Sequence, residues 1–190
     1  MLASDAPYPL TAEADMLAGL VAMTAARYAR QGQTRPVNAV ELGYWVEGAR
    51  LGVWLVSQEG HQYPDGPWKP GYSEHNRRAV FCQFFPVPSW HLLLRPAAGR
   101  RVTDHVGVVI TDPDDIAPGG VGWSHEFVEA VGHNLANVVA ERHREMFAGL
   151  EITDPLRVVV FEDEDSDLAW LVRIVGGEAD VTRGASDPAF

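Results

Sequence analysis

The chain has 190 residues, 26 acidic and 15 basic, for a formal charge of −11, and 46% of it is hydrophobic. That length suits one domain, and that apolar share supports a sizeable core, so disorder of the whole is excluded. The acidic balance argues against a nucleic-acid partner, because phosphate backbones are held by concentrated Lys and Arg, and here only the doublets Arg77-Arg78 and Arg100-Arg101 stand together.

In chain order, Met1 to Leu10 carries Asp5 and no basic residue, unlike the start of a secretory leader. Leu17, Leu20, Val21, Thr24 and Tyr28 recur at helical spacing and predict a first helix over about 12–31, with Thr11 as N-cap and Gly32 at its end. The period then changes to two. Val40, Leu42, Tyr44 and Val46, then Leu51, Val53 and Leu55, flank a turn at Gly48-Ala49 and predict a β-hairpin; Gly43, Gly48 and Gly52 make a helix there a poor alternative. Residues 60–75, with three Pro and three Gly, form a loop. Strands are expected near 79–85, 89–95 and 102–110. Cys82, the only cysteine, lies in the first of these, where a buried inert thiol is expected and no intrachain disulfide or thiolate cluster can form. After a loop at 111–123, a second helix runs from about Ser124, its N-cap, to Phe147. Residues 156–161 and 168–175 make a closing hairpin around the acidic tip 162–167.

The reading is a single α+β domain over 1–176 with a loose tail over 177–190. A mainly antiparallel sheet of about five to seven strands carries two long helices on one face. Leu17, Val21, Val131, Leu135 and Val138 are its predicted core. No apolar run approaches the roughly 20 residues that cross a bilayer, so a cytoplasmic protein without membrane contact is expected.

Chemistry is harder to find. His125, Glu129 and His133 lie one helical turn apart and form the candidate catalytic set, but a zincin helix needs its second His at i+4, where Glu129 stands. On a wheel of about 100° per residue, Val128, Val131, Leu135, Val138, Val139 and Met146 make the core stripe. Glu126, Glu129, His133, Asn137 and Arg144 fall opposite, so the set is expected to face water, to hold no metal and to be dispensable for stability. Ser124 lacks the second glycine of a nucleophile elbow. The runs Asp112–Asp115 and Asp163–Asp167 lack the Gly and terminal Glu of a calcium loop. Gly119–Gly122 lacks the lysine of a phosphate loop, and no cofactor is expected.

What remains is recognition. Tyr63, Trp68 and Tyr72 sit on the Pro-stiffened loop 60–75, where rigid aromatic rings offer contact area with little entropy to lose. The stretch 151–190 holds ten acids and three arginines, a net of −7 by subtraction, and suits a basic partner. The element order resembles that of small acidic secretion chaperones, which implies a protein partner. The expected function is a non-enzymatic binding, adaptor or chaperone-like protein that recognises a protein partner, a second copy of the chain (a homo-oligomer) being the other partner considered. The alternative is a small metal-dependent hydrolase using His125, Glu129 and His133.

Overall fold

The computed structural model describes residues 8–9, 13–32, 35–45, 49–57, 79–87, 101–103, 109–111, 125–162 and 169–184. Its elements are β1 (Tyr8–Pro9), α1 (Ala14–Arg30), β2 (Val37–Trp45), β3 (Arg50–Val56), β4 (Ala79–Pro86), β5 (Arg101–Thr103) and β6 (Val109–Thr111). They are followed by α2 (His125–Met146), β7 (Ile152–Glu162), β8 (Ala169–Val175) and β9 (Glu178–Arg183). Six strands form one sheet in the order β4-β3-β2-β7-β8-β9. All its pairings are antiparallel except the central one, β2 with β7. β1, β5 and β6 form a separate three-stranded sheet.

The α+β class stands, with both helices packed on one face of the six-stranded sheet. α1 is short on propensity breakers and buries Leu17, Ala18, Val21 and Tyr28 along one stripe. That stripe meets Val131, Leu135, Val138 and Met146 of α2 and the even-numbered side chains Val40, Leu42 and Tyr44 of β2 in a single core. All five predicted core residues are buried. An Arg142 guanidinium joins the helices, reaching Asp15 of α1 and Glu145 of its own helix.

The opposite face of the sheet is also apolar, which is why β3 is buried at nearly every position rather than at alternate ones. Trp54, Val159, Phe161, Ala169 and Leu171 cluster there. The Trp54 indole lies over the register pair Gly43↔Gly52. A Cβ at Gly43 would come within 2.8 Å of that ring and 2.9 Å of Phe161. The glycines that spoil a helix in this segment are thus the seat of a tryptophan.

Several details differ from the sequence reading. The stretch 102–110 is not one strand: β5 and β6 pair with each other as a hairpin, with Val102 opposite Ile110. The N-cap of α1 is Glu13, which makes no side-chain capping bond, not Thr11. Cys82 is exposed, not buried. β4 is an edge strand, and Cys82 and Phe84 project from the side of it that faces away from the helices, opposite Trp54 and Gly52. The span taken as a loose tail, 177–190, contains β9. Gly176 and Gly177 both adopt positive φ (57° and 83°), and this two-residue turn folds the chain back against β8 with Val175 opposite Glu178. The expected strand at 89–95, and Ser124, lie outside the described residues.

Candidate functional site

His125, Glu129 and His133 all lie on α2. The helix lies over β7, β8 and β9 and against α1, so its buried arc is wider than that of a helix with one neighbour. Gly132 allows this approach. The Tyr44 ring stands directly beneath it, fully buried, and its hydroxyl donates to the Val128 carbonyl at 3.1 Å.

The face expected to meet water instead rides on the β8–β9 hairpin. The Glu129 carboxylate pairs with Arg183 of β9, Oε1 to Nη2 at 3.2 Å. The His133 ring stacks on Trp170 of β8 with centroids 4.1 Å apart and planes 8° from parallel. One turn on, Asn137 donates to the His133 carbonyl at 2.7 Å. Two turns further, the Arg144 guanidinium donates to the Gly177 carbonyl in the β8–β9 turn at 3.0 Å. β9 is the reason: the strand formed by 178–183 supplies the surface that this helix face contacts. Sequence reasoning therefore also missed Arg183 and Trp170. The Gly-Gly pair followed by alternating Ala179 and Val181 is the signal that could have found them.

Glu129 and His133 thus share one half-buried cluster with Trp170 and Arg183, while the His125 side chain lies outside the described residues. A carboxylate already neutralised by a guanidinium is a poor metal ligand, since the cation competes for the same lone pairs. Among the described residues no group of three His, Cys, Asp or Glu is placed to hold a metal ion. The arrangement can clamp a helix to an edge hairpin. The remaining described histidine, His143, is buried near the end of α2, its Nδ1 2.8 Å from the Ala140 carbonyl.

The fold alters the ionisation of Tyr28. This residue is buried on α1, and burial pushes its phenol above the ordinary value while the Arg35 charge pulls the other way. Its hydroxyl donates to the Arg35 carbonyl at 3.2 Å.

Tyr63, Trp68 and Tyr72 lie outside the described residues, as do the acidic runs 112–115 and 163–167. The points where the aromatic loop leaves and rejoins the sheet are described. β3 ends at Val56 and β4 begins at Ala79, and these two residues are register partners. The chain therefore leaves the sheet and re-enters it at the same end, in adjacent antiparallel strands. In β7 and β8, Phe161 and Ala169, which flank 163–167 in the chain, are likewise register partners.

No family model and no solved structure matches the chain. Over 151 residues it is 28% identical to the tRNA modification GTPase MnmE of Phenylobacterium zucineum (strain HLK1), an alignment that takes in 76% of this chain and 32% of that protein. The chain thus spans about a third of the length of this relative.

Proposed function

We propose that this chain is a non-enzymatic recognition protein, an adaptor or chaperone-like module that binds a protein partner through the aromatic loop and an acidic surface. The observation that carries the reading is the pairing of Val56 with Ala79. Adjacent antiparallel strands need only a turn of two to five residues between them. Here residues 57–78 intervene, so the segment with Tyr63, Trp68 and Tyr72 is far longer than the connection requires. Long loops on a rigid scaffold are where binding residues concentrate. The exposed acids Glu178 and Asp180 on β9 add to the negative surface and favour a basic partner. The cytoplasm is the compartment this reading assumes. Among the described residues, no helix is long and apolar enough to cross a membrane.

GTP hydrolysis, which the relative's name announces, is not part of the proposal. The only lysine is Lys69, followed by Pro70, so this chain has no Gly-Lys-Ser/Thr to cradle a nucleotide phosphate. The hydrolase alternative is weakened by the pairing of Glu129 with Arg183.

Trp68→Ala is the test, because Trp leads among interface hot spots and truncating one commonly costs about 2 kcal/mol or more of binding. Affinity capture followed by mass spectrometry should recover a partner with the wild type and lose it with the variant, at an unchanged melting temperature. A variant that loses about 3 kcal/mol of stability instead would show the ring to be a lid on the core, and would end the recognition reading.

A further inference from the structure

The six-stranded sheet has two edges, and they are built differently. β4 carries Pro86 at its end and a register irregularity where Val56 meets Ala79. Both are devices that discourage further pairing. β9 has neither: its six residues are free of proline and its pairing with β8 runs without a register shift. It is also firmly held. The Gly176 amide donates to Asp154 of β7 at 3.2 Å, Arg144 holds the Gly177 carbonyl, and Arg183 is anchored to Glu129.

The outward groups of this edge can be identified. The Gly184 amide donates to the Ala169 carbonyl at 2.8 Å, in register with the β8–β9 pairing. In an antiparallel ladder, hydrogen-bonded pairs alternate with non-bonded ones. Thr182, Asp180 and Glu178 therefore turn their amides and carbonyls to β8, while Ala179, Val181 and Arg183 turn theirs outward. Among the described residues no chain lies beyond them.

We infer that β9 pairs with β9 of a second copy, antiparallel across a two-fold axis perpendicular to the sheet, with Val181 opposite Val181 of the partner subunit. This register is selected twice over. It makes all three outward residues members of hydrogen-bonded pairs, since Ala179 then faces Arg183 of the partner subunit, and Arg183 faces the partner's Ala179. A shift either way leaves one outward residue of each copy unpaired. It also sets Asp180 opposite Thr182 of the partner subunit and Glu178 opposite the partner's Gly184, so no like charges face each other. Sliding by one pair toward the β8–β9 turn would oppose Asp180 with the partner's Asp180, which is unfavourable. In the chosen register these carboxylates remain diagonal neighbours, so the dimer tightens as salt is added. Such a two-fold axis preserves the faces of the sheet, so the helices of both copies lie on the same side.

Analytical ultracentrifugation of the full chain, under reducing conditions because Cys82 is exposed, tests this. The expected result is a mass that rises from one copy to two with concentration. Val181→Lys places two ammonium groups at the axis and should weaken association by about tenfold or more, whereas Thr182→Lys faces the partner's Asp180 and should tighten it by roughly severalfold. Amide exchange on the wild type gives an independent reading: Ala179, Val181 and Arg183 should gain protection with concentration, and Asp180 and Thr182 should not change. A single copy at every concentration reached, or a dimer indifferent to both substitutions and to these amides, would overturn the inference.

Discussion

Gly132→Ala should destabilise this protein, although on helix propensity alone it would do the opposite. Gly132 lies in the middle of α2, where alanine is favoured by about 1 kcal/mol. Its neighbour decides the sign. A Cβ built there would collide with the Tyr44 hydroxyl and come within 2.7 Å of the ring carbon that bears it. Tyr44 has no room to retreat: it is fully buried between the sheet and α2, and its hydroxyl is committed to the Val128 carbonyl. Either the ring tilts or the helix lifts. Overpacking of this kind costs about 1–3 kcal/mol and the strained hydrogen bond about 1 kcal/mol more. Against the propensity gain, the net loss is about 1–3 kcal/mol. At roughly 2–4 °C per kcal/mol for a chain of this size, the melting temperature should fall by about 2–12 °C. Tyr44→Phe in the same background should recover only part of this, because the ring carbons remain too close. A Gly132→Ala variant that melts at or above the wild-type temperature would refute the close approach of α2 to β2.

Val138→Ala removes two buried methyl groups from the interface of the helices with the sheet and should cost about 1–3 kcal/mol by urea denaturation. His133→Ala should cost about 0.5–1.5 kcal/mol, the range for a stacked aromatic pair, and a neutral result would show that the contact with Trp170 contributes nothing. Alkaline titration should show the effect of Tyr28. Its folded phenol is harder to ionise than the unfolded one, so its contribution is full below about pH 10 and is lost as pH rises through the raised folded value. Tyr28→Phe should flatten that limb of the stability profile, and an unchanged limb would show that the burial of this phenol has no thermodynamic weight.

Where local pattern and tertiary placement agree, the fold was legible in the sequence. Leu17, Val21, Leu135 and Val138 repeat at helical spacing because each helix turns an apolar stripe to the shared core. The β2–β3 and β7–β8 hairpins are local and announced themselves by period and turn. The failures have specific causes. β9 alternates two small apolar residues with charges, which is what a half-exposed edge strand requires and also what a polar tail looks like. Cys82 sits in an apolar run, but a run on an edge strand still has an outer side. The parallel pairing of β2 with β7 joins segments too far apart for any local signal to report it. The candidate site suffered most, because the neighbours of Glu129 and His133, Arg183 and Trp170, are reached only through that topology.

The same parallel pairing divides the sheet into two antiparallel meanders, β2-β3-β4 and β7-β8-β9, each of which pairs only strands consecutive in the chain. Among the described residues, only the ladder from Val37↔Ile152 to Tyr44↔Glu162 unites them within the sheet. It does so across more than a hundred residues of intervening chain, whose closure entropy must be met before any of its bonds form. Folding should therefore wait on this seam: changes at Val40 or Val158 slow refolding, while changes in the outer strands mainly hasten unfolding. It also makes the chain divisible. A backbone cut between the two meanders leaves each with its own ladder, and the fragments hold a parallel edge apiece by which to find one another again.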